Sequence, residues 1–131
     1  MGRMEAWAEI IPFAPRELEP WLLDFEWSLE KLEALDLPVD EIPLAELAWL
    51  LDLPFWRGEG LFEVRPLDVV SGPQLERTNA ADLSEPLYVT RRHGRLIVLD
   101  GLHRLLKAAR AREATVRVRE LPADALQQIA A

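Results

Sequence analysis

Asp100, Gly101, His103 and Arg104 fall within five residues of one another, where an apolar run, Leu96-Ile97-Val98-Leu99, gives way to a helical pattern of Leu102, Leu105, Leu106 and Ala109. A strand entering a helix through a glycine presents several backbone N–H groups with no intrahelical partner, and such groups attract anions. The first turn of this helix carries a histidine and an arginine. Cations there oppose the macrodipole, at a cost of about 0.3–1 kcal/mol each at exposed sites, and an anionic partner reverses that sign. The segment therefore reads as a phosphate-binding turn. Arg104 supplies a planar fork suited to bidentate oxygen contacts. His103 is a candidate second contact, against the ordinary alternative of a half-buried histidine. Lys107 and Arg110 follow His103 by four and seven positions and share its helix face. Lys107 is a candidate contact, whereas Arg110 reads as solvated. Asp100, at the mouth of the helix, has an ordinary reading as an N-cap.

A strand, then Asp-Gly-x-His-Arg, then an Ala-rich helix and a further strand resembles the ParB/sulfiredoxin-like nucleotide-binding fold. The resemblance runs from Pro86 to Leu121, with Pro86-Leu87-Tyr88-Val89 as the strand that leads into the motif, and Val39 to Leu51 would supply the opening strand and helix. It implies an α+β fold, a small mixed sheet with flanking helices. It also implies a nucleoside di- or triphosphate with Mg²⁺ as ligand, cradled by Gly101, Leu102, His103 and Arg104, with Lys107 nearby. In the free-serine kinases of this fold, which carry Asp-Gly-His-His-Arg, the aspartate is implicated as the base that activates a substrate hydroxyl, and by resemblance Asp100 becomes the catalytic candidate. Sulfiredoxins use a cysteine within the motif, where this chain has Leu102 and no cysteine anywhere, so that chemistry is excluded. Chromosome-segregation members bind CTP and carry a helix-turn-helix region after the nucleotide domain. This chain ends about ten residues past its last predicted strand, so DNA is not an expected partner. The kinase-like branch fits best, although the acidic residue those enzymes supply from their N-terminal part has no alignable counterpart. The competing expectation is a non-catalytic nucleotide-sensing or protein-partner-binding module.

At 131 residues the chain suits one domain with a core that needs neither disulfide nor metal. The absence of cysteine excludes thiol nucleophiles and thiolate metal sites and suits a reducing cytoplasm. No signal peptide or membrane span is expected. The net charge of −8 is divided unevenly, with −10 over residues 1–60 and +2 over residues 61–131. Between Arg91 and Arg119 nine bases face only Asp100 and Glu113, a local +7 that coincides with the motif. That excess favours an anion-facing role, against the alternative of a solvated basic face. The acidic first half holds all five tryptophans, which mark either core or a surface for a protein partner. Asp24, Glu26 and Glu30 read as a solvated acidic face rather than a Mg²⁺ site.

Around the motif, the expected organisation is an acidic, Trp-rich N-terminal extension over 1–37 packed on a core over 38–131, one domain in all. Ser28 caps a short helix to Leu35. A strand over Val39 to Leu44 is followed by a helix over Ala45 to Leu53, bounded by Pro54. Leu61 to Arg65 alternates as a strand, Pro66 starts a turn, and Gln74 to Leu83 is helical or irregular. Leu87 to Thr90 and Arg95 to Leu99 form a hairpin around His93-Gly94. A helix over Leu102 to Arg112, a strand over Thr115 to Glu120 and a Pro122-started helix complete the chain. The echo between Trp21-Leu22-Leu23-Asp24 and Trp49-Leu50-Leu51-Asp52 is read as coincidence.

Overall fold

The computed structural model describes residues 16–57 and 63–131. It contains strands β1 (Val39–Pro43), β2 (Trp56–Arg57), β3 (Glu63–Val64), β4 (Leu87–Arg92), β5 (Arg95–Asp100) and β6 (Thr115–Leu121), with helices α1 (Leu29–Ala34), α2 (Pro73–Ala80) and α3 (Leu102–Arg110). Four strands make a mixed sheet in the order β1-β6-β4-β5, and β2 and β3 form a separate small hairpin. This is an α+β fold, a small mixed sheet with flanking helices.

The hairpin that leads into the motif is set by its turn. His93 and Gly94 take φ of 49° and 83°, the pair of positive values that matches a two-residue connection to the right-handed twist of its strands. β4 then runs antiparallel to β5 and parallel to β6, the latter reached through α3, while β1 closes the sheet antiparallel to β6 from Val39↔Arg119 to Pro43↔Thr115. Alternation in β6 buries Val116, Val118 and Leu121 and leaves Arg117 exposed. In β5, by contrast, Leu96, Ile97, Val98 and Leu99 are all buried, as expected where both faces of a strand are covered. α3 contributes Leu105, Leu106 and Ala108 to the same core.

Helix α1 matches its expected cap, the Ser28 hydroxyl accepting from the Lys31 N–H at 3.2 Å. Three segments differ from the sequence reading. The helix expected over Ala45 to Leu53 is two 3₁₀ turns, Leu44–Glu46 and Ala48–Asp52. Leu44, Leu47, Leu50 and Leu53 recur every third residue, and the N–H of each of the last three bonds to the carbonyl of the one before. A spacing of three is the 3₁₀ repeat, and it lines these leucines up where an α-helix would splay them. The closing helix is likewise 3₁₀, Ala123–Ile129. α2 begins at Pro73, behind a Gly72 cap at φ 86°, and stops at Ala80, short of Leu83. Of the strand expected over 61–65, residues 61 and 62 lie outside the described residues, as do residues 1–15 of the N-terminal arm.

Leu18, Leu23, Trp27 and Leu32 are buried together with Leu50, Leu105, Leu106, Leu121 and Ile129 in one hydrophobic cluster. The described part of the 1–37 extension therefore shares the core of the sheet. The two echoed segments also meet, Trp21 and Trp49 packing edge to face at 5.3 Å between ring centroids, with the Arg95 guanidinium 4.6 Å from the Trp49 ring centroid.

Candidate functional site

At the junction of β5 and α3, Gly101 takes φ 116° and occupies the N-cap position of the helix. Asp100 is the last residue of β5, so the cap assigned to it from sequence falls one residue later, on a residue with no side chain. A Cβ on Gly101 would lie 3.0 Å from Leu87 Cγ and 3.2 Å from Arg104 Nη1. Both the backbone conformation and the space thus require glycine. The Leu105 N–H bonds to the Gly101 carbonyl as the first helical bond, and helix geometry leaves the preceding N–H groups without intrahelical acceptors.

Arg104 folds back over this turn. Its Nη1 donates to the Pro86 carbonyl at 3.1 Å, and its Nη2 lies 3.9 Å from Asp100 Oδ2. The guanidinium carries five N–H donors, and these contacts place it directly above Gly101.

The turn forms one wall of a cleft of about 350 Å³ that Asp100, Gly101, Leu102, His103 and Arg104 all line. Leu18, Leu50, Phe55, Ile97 and Leu99 make its apolar part, and Asp82 and Glu85 join it from the loop after α2. The bonds Asp82 accepts from the Ser84 hydroxyl and N–H, assisted by Lys107 and Arg104, hold its carboxyl below the usual range. Asp82, Glu85 and Asp100 outnumber the single guanidinium of Arg104 along the cleft. Among the described residues no cluster of three or more His, Asp or Glu has metal-binding geometry.

His103 is half-buried. Its ring stacks on Trp56 with centroids 4.9 Å apart and planes 14° from parallel, and Nε2 is 2.7 Å from Gln74 Oε1. Burial, with the charges of Arg77 and Arg104, pushes its pKa down to about 4, so the ring is neutral at pH 7. Trp56 is 1% exposed and belongs to the core.

The rest of the basic run faces elsewhere. Lys107 Nζ donates to the carbonyls of Asn79 at 2.9 Å and Ala81 at 2.7 Å, at the C-terminus of α2, where a cation complements the helix dipole. Arg110, read as solvated, bonds to the Val69 carbonyl. Arg117 donates to the Ser84 carbonyl at 2.8 Å, Arg92 to that of Leu22 at 3.2 Å, and Arg119 to that of Leu37. The structure therefore brings Asp100, Gly101, Leu102, His103 and Arg104 together on one cleft, while Lys107 is not among its lining residues and is held by the Asn79 and Ala81 carbonyls.

Asp82, Glu85 and Gln74 were not singled out as site residues from sequence. Their approach to the turn depends on how the hairpin and α2 pack, and no local spacing encodes it. Among the described residues no helix is long and apolar enough to cross a membrane. No protein-family model, no curated protein and no solved structure matches the chain.

Proposed function

We propose that this chain is a nucleotide-phosphate-binding protein of the ParB/sulfiredoxin-like type, which holds the phosphates of a nucleoside di- or triphosphate at the Gly101–Arg104 turn. The observation that carries the reading is the strand-to-helix junction at Gly101, where residues 100–104, the Arg104 guanidinium among them, line a cleft of about 350 Å³. That volume lies at the lower end of the range for small-molecule sites, and the apolar wall beside the turn suits a base and sugar. With three carboxylates along the cleft, a bare polyphosphate would meet repulsion, so the ligand enters with Mg²⁺ on its phosphates, which lowers their negative charge. Asp100, on the same cleft, is then the candidate to accept a proton from a small hydroxyl substrate, making the protein a phosphotransferase.

The test is a thermal-shift panel of ATP, ADP, CTP and GTP with Mg²⁺. A ligand at about 100 times its Kd adds about 2.7 kcal/mol of stability, and Arg104→Ala should weaken binding by about 1.5–3 kcal/mol, the range for hydrogen bonds to charged groups. No shift with any of the four, or unchanged affinity in a folded Arg104→Ala protein, contradicts the site. Product analysis with a panel of hydroxyl metabolites separates the enzyme from a non-catalytic nucleotide-sensing module. Asp100→Asn should cut turnover by about 10²–10⁴-fold, and absence of product from the unmodified protein leaves the binding module as the function.

A further inference from the structure

The His103 ring meets the protein on one face and one edge, and the residue lines the cleft. One face lies on Trp56, and the Nε2 edge meets Gln74 Oε1 at 2.7 Å. Neither Trp56 nor Gln74 is among the residues that line the cleft, whereas His103 is. An amide oxygen only accepts, so Nε2 carries the ring hydrogen and donates it to Gln74. The second nitrogen, Nδ1, is then left with a lone pair and no hydrogen to give. Burial and the neighbouring Arg77 and Arg104 charges hold the ring neutral, which preserves this tautomer at pH 7. A phosphate oxygen needs a donor, and His103 has already committed its only one.

We infer that His103 meets the ligand as a hydrogen-bond acceptor, its Nδ1 taking the hydrogen of a ribose hydroxyl on the bound nucleotide, while the phosphates rest on the backbone N–H groups and Arg104. The inference rests on the nucleotide reading above. Two observations select the ligand's own sugar as the source of the hydroxyl. A cleft of about 350 Å³ has room for one mononucleotide-sized molecule. The lone pair also belongs to a residue of the very turn that faces the phosphates, so the donor must be a group linked closely to them.

Calorimetry with matched pairs of ribo- and 2′,3′-dideoxy-nucleoside triphosphates, adenine and cytosine in turn, each with Mg²⁺, tests it. The unmodified protein should bind the preferred ribonucleotide roughly five- to tenfold more tightly than its dideoxy partner, the worth of one neutral hydrogen bond. His103→Ala should bring that ratio to about one. His103→Asn, whose amide oxygen falls near the position of Nδ1, should retain most of the discrimination, and His103→Gln, whose amide reaches the position of Nε2, should not. The ratio in the unmodified protein and in His103→Asn decides the matter even where the alanine variant does not fold. Equal affinity for ribo and dideoxy forms in the unmodified protein overturns the inference and leaves the phosphate turn standing. So does discrimination that survives in His103→Ala, is lost in His103→Asn, or is rescued by Gln instead. Failure of every ribonucleotide to bind overturns the phosphate turn and this inference together.

Discussion

At its N-terminal end α3 lines a cleft and folds one guanidinium back over the turn, whereas at its C-terminal end Lys107 and Arg110 are held by carbonyls at 79–81 and 67–69. Both ends draw on the same basic run. The difference lies in what the neighbouring elements leave unsatisfied. α2 ends beside Lys107 and offers carbonyl oxygens at the negative end of its dipole, which a cation satisfies. β5 ends at Asp100 and passes through Gly101 into α3 beside Arg104, and there the unsatisfied groups are donors. A local charge excess is therefore a weak guide to an anion site. Six of the nine bases between Arg91 and Arg119 donate to main-chain carbonyls, and Arg104 alone of these also lines the cleft of the turn.

Substitutions at the two ends should separate these duties. Gly101→Ala carries the largest expected effect. It places a Cβ 3.0 Å from Leu87 Cγ at a positive φ, and the strain and overpacking together should cost about 2–5 kcal/mol in urea unfolding, with nucleotide binding lost in whatever fraction remains folded. Lys107→Met should cost about 1–2 kcal/mol, from the loss of charged hydrogen bonds at the end of α2, and leave nucleotide affinity within about twofold in calorimetry. A Lys107→Met protein that keeps its stability but loses its ligand would reverse the division between the two ends.

His103 adds a pH dependence. The folded His103 ring titrates at about 4 and the unfolded one near 6.5, so between those values only the unfolded state takes up the proton. Stability should be intact above about pH 6.5 and decline as pH falls toward 4. His103→Gln should flatten that part of the curve, measured as ΔG of unfolding against pH.

Much of this arrangement was legible in the chain because it is local. The period change from Leu96–Leu99 to Leu102, Leu105 and Leu106 located the junction of β5 and α3, and His93-Gly94 fixed the hairpin before it. The Asp100 cap was misplaced by one residue because Gly101 can itself hold the N-cap position. The leucines of 44–53 recur at three, which an α-helical template with inward Leu47, Leu50 and Leu51 obscured. Partners of the basic residues were not legible, since Lys107 meets Asn79 across 28 residues and Arg119 meets Leu37 across 82. The same holds for Gln74 and Trp56, which decide what His103 can do and approach it from separate segments.

The central claim is that the Gly101–Arg104 backbone receives phosphate, and amide ¹H–¹⁵N NMR titration with Mg²⁺-nucleotide measures it at that backbone. Shifts should be largest at Gly101, Leu102, His103 and Arg104, saturate with a single Kd, and be small at Arg91, Arg112 and Arg117. Saturable shifts confined to those outer arginines, with the four turn amides unmoved, would contradict it.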